Sequence, residues 1–139
     1  MNEMPDFFQG DTDEARRAQV AFLKKCFQFD DGYLASVVEM EPKQFESWQA
    51  DRQSLHTSDE DRLRQMWVMF LHLFSLFDFD YGHASQMLVA KANKTSEQNM
   101  PWSGESIRDF LERRGSAGVK DVNSWLTSLR FTDRYGAKA

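Results

Sequence analysis

The sequence predicts an all-α fold. Apolar residues recur at three- and four-residue spacing along most of the chain, and period-two alternation is never sustained beyond a few residues. Turn clusters such as DFDYG and RGSAG cut that pattern into pieces of helical length. With 41% hydrophobic and 14% aromatic residues the chain is too apolar to stay disordered. Its 139 residues can bury one good core, or two small helical subdomains that share one.

Asp11 to Phe27 reads as the first helix, since acidic residues open it and Ala15, Ala18, Phe22, Cys26 and Phe27 recur on one side. Arg16, Arg17, Lys24 and Lys25 form its expected wet face. FQFDDG breaks it, and Asp31 is the expected cap of a second helix through Tyr33, Leu34, Val37 and Val38. Pro42 suits the first position of a third helix, where a missing N–H loses no partner, and Phe45 and Trp48 point inward from it. Gln49 to Thr57 is polar and reads as a linker.

Ser58 and Asp61 have capping-box spacing for the longest helix, from about Asp59 to Phe77. That helix begins one-sided and becomes apolar all round through MWVMFLHLFSLF, a pattern that calls for burial on every face. A partner surface is therefore expected, with Trp67, Phe70, Phe74 and Phe77 at a homodimer interface. Tyr81 to Ala92 gives a fifth helix, KANKTSEQNMP a polar connection, and Ser103 to Arg114 a sixth helix. RGSAG leads to a seventh, striped by Val119, Val122, Leu126 and Leu129.

Several function classes fall away. The twelve-residue apolar run from Met66 to Phe77 is short of the roughly 20 residues of a membrane span. The acidic start MNEMPDFFQGDTDE has no secretory-signal pattern, so a soluble cytoplasmic protein is expected. Cys26 is the single cysteine and reads as a small core residue. Asp78, Asp80 and His83 in DFDYGH read as turn and cap rather than as a metal site. There is no HExxH, nucleophile elbow or phosphate-cradling glycine loop, and no catalytic residue, metal or cofactor is assigned.

The stretch LASVVEMEPKQFESW has the spacing of two helices meeting at a sharp corner. In a helix-turn-helix the first of these braces the second, which lies in the major groove. Ala35 would be the small contact where the helices cross, and Lys43, Gln44, Glu46, Ser47 and Gln49 would face outward. The string L-A-x-x-V-x-M-x-P-x-x-F-x-x-W resembles the Xre type of helix-turn-helix, with Glu39 at the turn position usually given to glycine. Glycine is favoured there because the backbone tends toward positive φ.

Charge opposes tight DNA binding. The net charge is −5, and Glu39, Glu41 and Glu46 would face phosphates or bases. The expected DNA contacts are Lys43, Gln44, Ser47 and Arg52, assisted by the basic residues of the first helix if these share their side.

The second half, with LFDFDYGHASQMLVAKAN, a polar hinge and PWSGESIRDFLERRGSAGVKDVNSWLTSL, is similar to the toxin-binding domain of the Xre/MbcA/ParS antitoxins. It departs from that pattern at Gln86 and Met87, where the family prefers tryptophan, and at Glu105 to Ile107, which lack the usual proline. The resemblance implies a dimeric antitoxin, with residues 1–57 as a DNA-binding head and residues 58–139 as the toxin-binding domain. Such a protein binds its own operator and sterically blocks a cognate toxin, commonly an NAD-consuming RES-domain protein.

Independently of the resemblance, Trp102, Arg108, Arg113, Arg114, Arg130, Arg134 and Tyr135 gather the residue types that dominate interface energetics. Two other readings stay open: a phage or mobile-element regulator without a toxin, and a helical adaptor that does not bind DNA.

Overall fold

Asp13–Phe27 (α1), Asp31–Val37 (α2), Pro42–Gln49 (α3), Thr57–Leu76 (α4), Tyr81–Val89 (α5), Ile107–Arg114 (α6) and Ser116–Tyr135 (α7) are α-helical, and a 3-10 turn at Asp6–Gln9 precedes them. The structure is a computed structural model that describes residues 5–91 and 100–135, with side chains through residue 129. Among these residues no strand forms, and the Lys91 to Ser106 bridge is isolated. The fold is all-α, as the periodicity predicts.

Short polar side chains set the helix starts by accepting the otherwise orphan amides of each first turn. Thr12 caps α1 through the Ala15 amide, Asp80 caps α5 through His83, and Ser106 caps α6 through Asp109. α1 starts at Asp13 rather than Asp11, and three further starts differ from the sequence reading. Asp30, not Asp31, caps α2, accepting from the Tyr33 amide at 2.7 Å. Asp31 is thereby free to meet Lys24 Nζ at 2.7 Å and Gln49 Nε2 at 2.9 Å. α4 begins at Thr57, before the expected Ser58 cap; His56 stands at the N-cap with no side-chain cap bond, and Asp61 meets Arg64 and Gln65 instead. α6 begins at Ile107 rather than near Ser103, and Gly115 alone separates it from α7.

Three of the four rings expected at the dimer face are enclosed by their own chain, which corrects that expectation. Trp67 is 2% exposed, Phe70 1% and Phe74 0%, so all three are interior; only Phe77, at the helix end, is half-buried. α1 and α5 pack on α4, with Phe22, Phe27 and Tyr81 against Phe70 and Phe74, and two elements more distant in the chain add to the cover. α7 packs along α4, contributing Val119, Val122 and Leu126 to the same core. The 3-10 turn inserts Phe8, whose ring meets Trp67 edge-on at 5.1 Å and Phe22 at 5.0 Å. Trp67 Nε1 donates to the Phe8 carbonyl at 2.9 Å, which satisfies the one polar atom of the indole.

The face assigned to α1 also shifts. Gln19, Val20, Leu23 and Phe27 are its buried residues, and Arg16 is 4% exposed rather than wet. A polar clamp explains the burial: Arg16 pairs with Asp11 and donates to Gln19 Oε1 at 2.6 Å, while Gln19 Nε2 donates to the carbonyls of Phe7 and Gly10. A buried guanidinium is tolerated when its donors are occupied in this way. The clamp ties the aromatic 3-10 turn to α1.

One continuous apolar core runs from Phe8 to Leu126 and crosses the 57/58 boundary. α2 is fixed to α6 by Arg108, whose guanidinium lies over Tyr33 at 5.1 Å and Phe29 at 5.7 Å, while Tyr33 Oη donates to the Arg108 carbonyl at 2.7 Å. The two halves share a core instead of building one each. No helix among the described residues is long and apolar enough to cross a membrane.

Candidate functional site

The α2–α3 corner has the packing that its sequence demands. Leu34 and Ala35 are fully buried, Val38 is nearly so, and Phe45 and Trp48 return from α3 with no exposed surface. Ala35, the small residue expected at the crossing, has no exposed surface. The turn is a Schellman arrangement: the Met40 amide donates to the Ala35 carbonyl at 2.9 Å and the Glu39 amide to the Ser36 carbonyl at 3.3 Å. Glu39 takes the left-handed conformation this requires, with φ 57. Pro42 then opens α3 at its first position.

This geometry leaves one face of α3 outward. Lys43 and Glu46 are exposed, and Gln44, Ser47 and Gln49 are half-buried. Lys43, Gln44 and Ser47 line an open groove of about 400 Å³ together with Glu41, Gln53 and His56. Arg52 is exposed in the following loop, its amide donating to the Ser47 carbonyl at 2.8 Å, but it does not line the groove. Sequence reasoning missed Gln53 and His56, because a polar loop carries no period that tells which side chains return to the helix.

A second layer holds the groove from below. Gln44 Nε2 donates to Asp59 Oδ2 at 3.1 Å, Asp59 pairs with Arg62, and Arg62 Nε donates to the Val38 carbonyl at 2.7 Å. Asp59 and Arg62, three apart at a helix start, have the spacing of a surface pair, so nothing local marked them as the link between α4 and the corner.

The auxiliary cations of α1 do not reinforce the groove. Arg17 donates to the Trp48 carbonyl at 2.7 Å, lies over the Trp48 ring and is within 3.1 Å of Asp51 and 3.7 Å of Asp13. Lys24 is committed to Asp31, and Arg16 is buried. Among the described residues, Lys43 and Arg52 have no ion-pair partner. Glu39 is likewise turned away from the expected phosphate side: its Oε2 accepts from the Ser116 amide at 3.0 Å and from the Ser116 hydroxyl. Those bonds hold the Glu39 carboxyl below the ordinary carboxylate range.

The residues expected to bind a protein partner are dispersed. Trp102 is 1% exposed and packs edge-on against Trp125 at 4.9 Å, so it belongs to the core and not to a surface. Arg108 is committed to the rings of α2. Arg113 and Arg114 are exposed at the end of α6, where Arg113 makes a two-pronged pair with Glu105 at 2.9 and 2.6 Å and Arg114 lies 3.4 Å from Asp121. The side chains of Arg130, Arg134 and Tyr135 lie outside the described residues.

In the DFDYGH turn, Asp80 both caps α5 and lies 3.0 Å from His83 Nδ1. Among the described residues no group of three His, Cys, Asp or Glu side chains could hold a metal ion. A comparison with known protein families finds no matching family model, and no curated protein matches the chain.

Proposed function

We propose that the chain is an antitoxin-like transcriptional regulator that binds operator DNA weakly through the α2–α3 corner and neutralises a cognate toxin by steric block through its C-terminal half. The observation that carries the DNA reading is the closed corner, with Ala35 buried at the crossing and Lys43, Gln44 and Ser47 lining an outward groove. A helix presented in this way reads bases from its N-terminal residues. Two copies on a palindromic operator would offset the poverty of cations by joining two weak contacts. The partner reading rests on the resemblance of residues 58–139 and, within it, on the exposed Arg113 and Arg114.

A gel shift with the chain's own promoter across a series of stated salt concentrations tests the head. Lys43→Ala with Arg52→Ala is expected to weaken binding about tenfold and to reduce the salt slope by about 1 per lost phosphate contact. A shift indifferent to both substitutions shows that the DNA-facing surface lies elsewhere. Copurification from the native operon tests the other half. The neighbouring gene product is expected to come down with the chain and to be lost with Arg113→Ala and Arg114→Ala, while Lys43→Ala retains it. Recovery of the chain alone counts against an antitoxin.

The adaptor reading has its own support in the pairing of Arg17 and Lys24 with Asp13, Asp51 and Asp31, which leaves the corner few cations for phosphate. It predicts a copurifying protein with no DNA shift at any salt.

A further inference from the structure

The corner turns on a residue that does not suit it. A side chain with a Cβ is disfavoured at positive φ by about 1 kcal/mol relative to glycine, yet position 39 holds glutamate at φ 57. Local structure gives no reason for the choice. A distant element does.

Glu39 Oε2 accepts both the amide and the hydroxyl of Ser116, the first residue of α7. Its carboxylate therefore caps a twenty-residue helix from 77 residues away, at the end where the helix dipole favours negative charge. Gly115 leaves room for it. The backbone there is at φ 62 and ψ −140, strained for any L side chain, and an added Cβ would lie 3.0 Å from Glu39 Cγ. From the other side of the same turn, Arg62 of α4 donates to the Val38 carbonyl. The corner is thus held between α4 and α7, the two helices that pack on one another most extensively.

We infer that Glu39 is a positioning residue that couples the α2–α3 corner to the start of α7, so that displacing the first turn of α7 loosens the corner and altering the corner frays α7. Its consequence for DNA, that whatever seats on the C-terminal half also adjusts the presentation of α3, rests on the function proposed above. The coupling itself does not, and it is measurable with no ligand present.

Amide hydrogen exchange on the full chain by NMR tests it, with the α4 amides of Phe70 and Leu73 as internal reference for global stability. Ser116→Ala, remote in sequence and half-exposed, is expected to speed exchange of the Glu39 and Met40 amides about fivefold, the loss of one hydrogen bond's worth of local protection. Glu39→Ala is expected to speed the Ser116 and Val119 amides by a similar factor. Glu39→Gln, which keeps an acceptor oxygen, should restore part of the protection. The double variant Glu39→Ala with Ser116→Ala should exchange no faster than Glu39→Ala alone.

Acceleration confined to the substituted element, or single effects that add, overturns the coupling. Gel shifts with the same variants keep the two ideas apart. Exchange coupling in a chain that binds no DNA leaves the coupling standing and removes the DNA reading, whereas DNA binding without exchange coupling does the reverse.

Discussion

Trp67→Ala is expected to lower the unfolding free energy by about 3–5 kcal/mol, a large part of the roughly 5–15 kcal/mol available to a domain of this size. The indole is 2% exposed and touches the rings of Phe8, Phe22 and Phe74 at 5.1, 6.4 and 6.2 Å. Its removal opens a cavity beside rings that cannot collapse inward without leaving their own contacts. It also strands the Phe8 carbonyl, which accepts from Trp67 Nε1. Trp67→Phe keeps most of the volume and loses the hydrogen bond, so its cost should be about 1–2 kcal/mol.

Urea unfolding followed by far-ultraviolet circular dichroism measures both. The losses should not depend on protein concentration, since the indole is buried by its own chain. A loss that grows on dilution would return Trp67 to an interface between copies.

Arg62→Ala is the second large effect. Breaking a buried ion pair by deleting one partner costs about 3–5 kcal/mol, and the one-quarter exposure of the Arg62 side chain reduces the expectation to about 2 kcal/mol. Two groups lose a partner: the Asp59 carboxylate, 9% exposed, which keeps only the neutral Gln44 amide, and the Val38 carbonyl at the end of α2. Asp59→Asn in the same chain removes the uncompensated charge and should recover part of the loss, which a double-mutant cycle measures.

The substitution should also loosen Gln44, whose amide rests on Asp59, and so weaken any DNA shift without touching an exposed cation. A stability change under about 0.5 kcal/mol would mean that the pair is an ordinary surface contact.

These effects mark where the sequence was readable. Each helix announced itself through three- and four-residue apolar spacing, because one stripe of a helix must be buried. The corner was legible down to its positive-φ turn and its buried residues, because Ala35, Glu39, Pro42, Phe45 and Trp48 all act within fifteen residues of chain. Capping was legible only in kind: Asp30 and Asp31 are equally good caps in a sequence, and the register of a single turn chooses between them.

Burial of charged residues was not legible. Arg16 sits in a stretch that reads as solvent-facing, and only the return of Asp11 and Gln19 around it makes burial tolerable. Trp102 reads as an interface residue by type, yet Trp125 covers it. The all-round apolar α4 reads as buried on every face, yet Val68 and Leu71 are only half-buried and Leu76 is exposed, and the period did not say what covers the rest. Part of the cover came from α7 and from Phe8, elements 40 or more residues away in the chain.

What the amino-acid order determined by itself is therefore the helical class and the internal geometry of the corner, since both depend on contacts within a few turns of chain. Only the tertiary structure decided which charges stay free, which aromatics are core, and that Glu39 belongs to α7 as much as to its own turn. Those outcomes depend on which side chains meet across long loops, and a one-dimensional period carries no information about that.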